Sequence, residues 1–90
     1  MDITFDPAKS EQNRATRGFG FELVASFDFA TAFTWTDDRF DYGETRFAAL
    51  GMVEGRLHAL VFTETRTGIR VISFRKANDR EVRRYEQNRN

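Results

Sequence analysis

The chain has 90 residues, enough for one small domain, and its 40% hydrophobic content with ten Phe residues predicts a packed core and excludes a disordered protein. It has no Cys, one His and only short apolar runs, which excludes disulfides, thiol nucleophiles, Cys- or His-rich metal sites and membrane-spanning helices. The net charge is zero, but the charges are unevenly distributed, since residues 1–65 carry a net charge of −5 and residues 66–90 a net charge of +5. Since the first residues are polar and predict no secretory signal, we expect one cytoplasmic domain over residues 1–90.

The first third of the chain is predicted to hold a short strand and two helices. Residues 3–5 can form the strand, and Asp6 then precedes Pro7 as the N-cap of a polar helix, since Pro suits the first helical position. That helix is expected to end at Gly18, which can adopt the left-handed conformation that follows many helices. The apolar spacing over residues 21–28 predicts a second helix.

The rest of the chain is predicted to be a β-meander closed by a helix. Turns separate the predicted strands 32–36, 45–52, 56–63 and 69–75, and short turns join the last three into an antiparallel meander. Asn78 is expected to cap the last helix, with Glu81 as its capping-box partner. Helices, then a meander, then a helix make an α+β fold.

Alternation along the last two strands predicts which side chains share a face of the sheet. In the predicted strand 56–63, one face is expected to carry Leu57, Ala59, Val61 and Thr63. In the next strand, one face is expected to carry Ile69, Val71, Ser73 and Arg75, and the other Arg70, Ile72 and Phe74. The core of the sheet is then expected to include Phe47, Leu50, Val61, Ile72 and Phe74.

Arginine on a half-buried strand needs an anionic partner, because removing its charge from water is unfavourable. For Arg70 and Arg75 two interpretations therefore stay open: each binds a ligand anion, or each forms a structural ion pair with a carboxylate such as Glu22, Glu44 or Glu81. The basic end of the chain is equally ambiguous. Twelve of the fourteen cations are Arg, which suits a polyanion or an acidic protein, but a solvated helix face has the same composition.

A series of short motifs in fixed order resembles the BrnT family of bacterial toxins from type II toxin–antitoxin modules. The resemblance runs from Phe5 to Tyr85, and its most characteristic part is the segment 70–77. The other motifs are the segments 5–9, 18–22, 27–28, 38–46, 55–56 and 63–64, with Asn13, Gly51 and Glu81. The chain departs from the family at residues 16–18, where Thr-Arg-Gly replaces the usual Lys-His-Gly.

The resemblance implies a RelE-like fold, a ribonuclease activity that inhibits translation, and neutralisation by a co-expressed BrnA-like antitoxin. Such antitoxins carry a ribbon-helix-helix domain, so operator DNA is expected to be bound only through the antitoxin, in a complex that represses its own operon. If the family His acts as a base, Arg17 cannot replace it, because a guanidinium stays protonated. Arg17 can still hold a phosphate.

Metal-free RNA cleavage needs a base, cations around the phosphate and a proton donor. Arg66, Arg70, Arg75 and Lys76 are close in sequence and are predicted to supply the cations, without a metal or another cofactor.

The general base stays open among Glu22, His58 and Tyr85, in that order of preference. We predict Arg70, Arg75, Glu22 and Arg66 as catalytic residues and Lys76, Arg17 and Tyr85 as RNA contacts. The alternative is a non-catalytic module that binds an acidic protein or RNA through its basic C-terminal end.

Overall fold

The computed structural model describes residues 1–89, in which five strands form one mixed sheet. The strands are β1 (Asp2–Thr4), β2 (Phe33–Asp37), β3 (Arg46–Val53), β4 (Arg56–Glu64) and β5 (Gly68–Lys76), in the order β1-β5-β4-β3-β2. Helix α1 (Pro7–Arg17) and a 3-10 helix (Phe21–Ser26) lie between β1 and β2, and helix α2 (Asp79–Gln87) follows β5. The predicted α+β class is confirmed.

Two features of this architecture differ from the sequence prediction. Strands β2 to β5 form an antiparallel meander, but β1 pairs with β5 in parallel, which makes the sheet mixed. The second predicted helix is a tighter 3-10 helix that ends at Ser26. No helix in the described residues is long and apolar enough to cross a membrane.

Local signals set the ends of the helices and the tightest turn. The side chain of Asp6 accepts a hydrogen bond from the first turn of α1, and Gly18 ends that helix with φ of 89°. Asn78 and Glu81 form the predicted capping box of α2. Residues 54–55 join β3 to β4 and both have positive φ, as a two-residue hairpin turn requires.

A β-bulge in β5 changes the predicted faces of that strand. Two consecutive residues of β4 pair with Ser73 and Val71, which leaves Ile72 as an extra residue in β5. Because of it, Phe74 packs in the same core as Val71, whereas strict alternation had placed the two on opposite faces. That prediction is wrong. The faces predicted for β4, which carries no extra residue, are confirmed.

The main core lies on one face of the sheet, which we call the covered face. The 3-10 helix packs Phe21 and Val24 against this face, and Phe27 follows them. The strands contribute Ala49, Val53, Leu60, Phe62, Ile69, Val71 and Phe74. Gly51 makes room for this packing, because a Cβ at that position would overlap the ring of Phe27.

The opposite face, which we call the open face, is covered only in part. Helix α2 packs Val82 and Tyr85 against Leu50 and Leu57. Towards the β2–β3 loop the face has no such cover and forms a cleft. Of the predicted core residues, Leu50 and Phe74 are fully buried, on opposite faces, and Phe47, Val61 and Ile72 are half-buried.

Candidate active site

The cleft on the open face lies between α2 and the β2–β3 loop. It consists of two adjoining concavities of about 380 and 330 Å³ that share Asp37, Arg39, Ala59, Val61 and Arg75. The lining further includes Trp35, Tyr42, Arg46, Ala48, Ser73, Asn78, Arg80, Glu81 and Arg84. We call this surface the Arg75 cleft. Ala48 and Ala59 give it depth, because their short side chains leave the middle of the sheet uncovered.

The Arg75 cleft is positively charged although the chain as a whole is neutral. Five Arg and two carboxylates line it, which gives the surface a formal charge of +3. Positive charges along the wall of a cleft concentrate anions there. The arrangement therefore suits a polyanionic ligand.

Arg75 is held in place by Glu81. Its Nη1 lies 2.7 Å from Oε1 of Glu81 and its Nη2 lies 2.8 Å from Oε2, so the pair is bidentate. Glu81 also accepts a hydrogen bond from the Asn78 N–H, which ties the pair to the N-terminus of α2. The guanidinium lowers the pKa of Glu81, and the carboxylate raises the pKa of Arg75 against the opposing charge of Arg39.

The guanidinium of Arg75 keeps hydrogen-bonding capacity for a ligand. It has five N–H donors, of which three bind Glu81 and the carbonyl of Lys76. The Nε–H and one donor on Nη2 have no acceptor within the part of the chain that the structure describes. A phosphate oxygen in the cleft can accept from them while Glu81 holds the plane of the guanidinium.

Asp37 fastens the β2–β3 loop to the rim of the cleft. It ends β2, is only 5% exposed, and accepts hydrogen bonds from Nε and Nη2 of Arg39 at 2.7 and 2.9 Å. The hydroxyl of Tyr42 donates to the same carboxylate at 3.4 Å. Hydrogen bonds from Arg39 lower the pKa of Asp37, so this carboxylate is ionised at neutral pH. Arg46 lies over the Tyr42 ring, 3.9 Å from its centroid.

A second cation–π contact orders the wall that α2 forms. The guanidinium of Arg84 lies 4.0 Å from the centre of a Trp35 ring and 5.4 Å from that of Phe33. The contact joins α2 to the edge strand β2. The Arg84 guanidinium also covers the Trp35 ring, so this aromatic ring of the cleft is already stacked against a cation.

The predicted cations Arg70 and Arg75 both form the ion pairs that the sequence analysis left open. Arg75 pairs with Glu81 in the cleft, whereas Arg70 is exposed and pairs with Glu44 at 3.1 Å. Glu44 also accepts from Nε of Arg46 at 3.3 Å, and Arg46 lines the cleft. Arg70 is therefore connected to the Arg75 cleft through a shared carboxylate but does not line it.

The other predicted catalytic residues lie elsewhere. Arg66 is exposed in the turn between β4 and β5. Glu22 is exposed on the 3-10 helix, where it binds Arg14 and the hydroxyl of Ser10 on α1. The ion pair with Arg14 lowers the pKa of Glu22. The structure thus does not bring Arg66 or Glu22 into the Arg75 cleft.

The three predicted RNA contacts also occupy separate places. Lys76 is exposed at the end of β5, and Arg17 is exposed at the end of α1, where it borders a concavity of about 290 Å³ beside Ile72. Tyr85 is only 6% exposed, and its hydroxyl donates to the Thr31 carbonyl at 3.4 Å. The ring of Tyr85 is part of the core under α2 and does not line the cleft.

His58, the remaining candidate base, is 3% exposed and belongs to the covered face. Its ring stacks on Phe74 with centroids 5.2 Å apart. Its Nδ1 lies 2.8 Å from the Arg56 carbonyl, and because a carbonyl only accepts, Nδ1 carries the proton. Burial lowers the pKa of His58, which is therefore neutral at pH 7.

Sequence reasoning missed most of the cleft lining. Trp35, Asp37, Arg39, Tyr42 and Arg84 all lie on it. One signal was present, because residues 39–46 begin and end with Arg and carry an exposed and a half-exposed aromatic side chain between them, a combination found in single-stranded nucleic-acid binding. No sequence pattern indicated that side chains of α2 would line the same cleft as β2 and the β2–β3 loop.

The carboxylates of the cleft are engaged by guanidinium groups. Asp37 binds Arg39 and Glu81 binds Arg75, each through both of its oxygens. Across residues 1–89 no group of three or more His, Cys, Asp or Glu side chains is arranged to hold a metal ion.

Comparison with known proteins gives a family match over most of the chain. The model of a family described as ribonuclease toxin, BrnT, of type II toxin–antitoxin system matches residues 5–81. No curated protein gives a significant match. The matched segment contains the whole lining of the Arg75 cleft except Arg84.

Proposed function

Because the chain belongs to the BrnT family of ribonuclease toxins from type II toxin–antitoxin systems, we propose that it binds and cleaves RNA in the Arg75 cleft. The observation that carries this assignment is the set of five Arg around one concave surface. RNA presents one negative charge per nucleotide, and arginine forks match phosphate oxygens in geometry as well as in charge. The cleft is also open along the sheet, so a strand can lie across it.

The proposed reaction is attack of a ribose 2′-oxygen on the adjacent phosphorus. A new P–O2′ bond forms, the P–O5′ bond breaks, and a 2′,3′-cyclic phosphate and a 5′-hydroxyl result. Negative charge accumulates on the non-bridging oxygens in the transition state. We expect the free N–H donors of Arg75 to stabilise that charge, because preorganised electrostatic stabilisation is usually the largest single contribution to catalysis.

We assign the removal of the 2′-hydroxyl proton to Glu81. A phosphate that binds the free Nε–H and Nη2 donors of Arg75 lies beside Glu81, which keeps its own hydrogen bonds to the guanidinium. Because those bonds lower the pKa of Glu81, the carboxylate is ionised at neutral pH and can accept a proton. Water at the mouth of the cleft supplies the proton for the 5′-oxygen, and the hydroxide that this forms takes up the proton held by Glu81, which regenerates the carboxylate. Glu22, His58 and Tyr85 lie outside the cleft and have no role in this scheme.

The proposal includes no metal. The five guanidinium groups supply the positive charge that a divalent cation provides in other nucleases. Cleavage is therefore expected to continue in EDTA.

We further propose that the chain acts together with an antitoxin. Residues 1–90 are taken as one cytoplasmic toxin domain of RelE-like fold, and a BrnA-like ribbon-helix-helix antitoxin binds it and represses the operon. What supports an antitoxin partner is membership of a type II family, together with the +5 charge of residues 66–90, which suits an acidic partner. Such an antitoxin should cover the Arg75 cleft, and hydrogen exchange should then show protection in residues 66–90.

Two experiments test the proposed function. Induced expression should arrest growth, and co-expression of the neighbouring gene should restore it. The purified protein should cleave RNA in the presence of EDTA and leave 2′,3′-cyclic phosphate ends. Unchanged growth together with RNA binding but no cleavage would favour the non-catalytic module. The observation behind this alternative is that Arg17 stands where the family has His.

A further inference from the structure

We propose that Phe40 is a stacking platform that holds one unpaired base of the RNA beside the Arg75 cleft. The inference rests on the proposed function, since it assigns the class of RNA that the cleft accepts. Phe40 is 69% exposed, and Met1 is the other large hydrophobic side chain exposed to this degree within residues 1–89. A single exposed apolar residue is ordinary, so the argument depends on where this one lies.

Phe40 lies in the β2–β3 loop, at the rim of the cleft. Its neighbours Arg39 and Tyr42 both line the cleft. The ring of Phe40 meets that of Tyr42 edge to face, with centroids 5.9 Å apart. Phe40 itself is not part of the lining, so an RNA strand with a phosphate between Arg39 and Arg75 can extend an adjacent base over the rim to the Phe40 ring.

The loop is fastened on both sides of Phe40. Asp37 binds the side chains of Arg39 and Tyr42, which precede and follow Phe40. Beyond it, Asp41 accepts a hydrogen bond from the Gly43 N–H at 3.0 Å, and Gly43 has φ of +73°. A ring on a loop held in this way loses little conformational entropy when a base binds. Asp37 is thus a positioning residue for the platform.

The other aromatic faces of the cleft are already occupied. Arg46 covers the ring of Tyr42, and Arg84 covers the ring of Trp35. Within residues 1–89 no guanidinium covers the Phe40 ring, which therefore remains available to a planar ligand. Bases in a duplex are stacked on one another and cannot use such a ring, whereas an unpaired base can. The geometry therefore assigns single-stranded RNA as the substrate class.

The test compares Phe40→Ala, Phe40→Leu and Phe40→Trp with the wild-type protein. Each is titrated against a short fluorescein-labelled RNA of mixed sequence that carries 2′-O-methyl groups, which block cleavage, and against the same RNA in a duplex. We expect Ala and Leu to weaken binding of the single strand by about 5- to 150-fold, the range for loss of one stacked base. Trp should retain it, and its fluorescence should be quenched by the RNA.

The variants should fold normally, because the exposed ring contributes little to stability, and a thermal melt verifies this. Equal binding of the single strand by Phe40→Ala and wild type would overturn the inference alone. Equal binding by Phe40→Leu and Phe40→Trp would do so as well, since it would show that apolar bulk rather than an aromatic face is required. If the wild-type protein neither binds nor cleaves RNA, the proposed function itself is wrong.

Discussion

On the covered face of the sheet, Phe rings that flank the 3-10 helix pack against a Phe ring of β5, whereas on the open face Arg side chains form ion pairs with carboxylates around a cleft. Phe19 and Phe27 both contact Phe74 edge to face. Across the sheet, Arg75 and Arg39 each hold a carboxylate and remain partly accessible to water. The same strands therefore separate two tasks, since the covered face holds the main core, whereas the part of the open face that α2 leaves uncovered displays charge.

This separation follows from what each kind of side chain requires. Burial of an aromatic ring stabilises the fold wherever the ring fits, because the gain depends on the area removed from water. A guanidinium gains little from burial and needs fixed partners, so it lies where a carboxylate can orient it without full desolvation. Substitutions on the two faces should consequently produce different phenotypes: loss of folding on one and loss of function on the other.

The largest effect on stability is expected from Phe74→Ala. Phe74 is fully buried on the covered face, and truncation should cost ~3–5 kcal/mol of a total unfolding free energy of roughly 5–15 kcal/mol. Val61→Ala, at the half-buried floor of the cleft, is the matched variant and should cost clearly less. Urea unfolding measures both. Equal losses would contradict the difference between the faces.

Gly51→Ala should also destabilise the covered face, by ~1–3 kcal/mol, because the new methyl group overlaps the ring of Phe27. Phe27→Leu in the same background removes the overlapping ring atoms. If the clash is the cause, the cost of Gly51→Ala should be smaller in that background. An unchanged cost in the double variant would show that the conformation of Gly51, and not the ring, sets the requirement.

His58 should make the stability depend on pH. Burial lowers its pKa in the folded protein, so the unfolded chain binds the proton more readily. Stability is then fully present above the ordinary pKa of 6.5 and is lost as the pH falls below it, by at most ~1.4 kcal/mol per pH unit for one proton. His58→Phe should remove this dependence of the unfolding free energy on pH. Unfolding curves measured between pH 7 and 5 test this expectation. An identical pH dependence in both proteins would exclude His58 as the source.

The smallest effect is expected from Arg70→Ala. The Arg70–Glu44 pair is exposed, and such pairs contribute ~0–1 kcal/mol. Because Arg70 does not line the cleft, the cleavage rate per folded molecule should also fall less than in a cleft variant. A loss of cleavage as large as that of Arg75→Ala would place Arg70 in the reaction after all.

Much of the fold could be predicted because its signals are local. Asp6 with Gly18, and Asn78 with Glu81, mark the ends of the two α-helices within a few residues of sequence. The bulge at Ile72 could not be predicted, since it is defined by pairing between two strands and leaves no pattern in either one. One such residue was enough to put Phe74 on the wrong face.

The site was predicted less completely for the same reason. Arg75 and its partner Glu81 are six residues apart, within reach of local reasoning. The contact between Trp35 and Arg84 joins the edge strand to the last helix, and no spacing rule links them. Glu22 looked available from the sequence, but its ion pair with Arg14 depends on how α1 packs beside the 3-10 helix.

Single-turnover RNA cleavage by Arg75→Ala, normalised to the folded fraction, tests the central claim that the reaction takes place in the Arg75 cleft. Loss of one fixed donor to the developing charge should lower the rate by ~10²–10³-fold. Arg75→Lys should recover part of that loss, because it keeps the charge without the fork. A normal cleavage rate per folded molecule in Arg75→Ala would contradict the account and remove Arg75 from the active site.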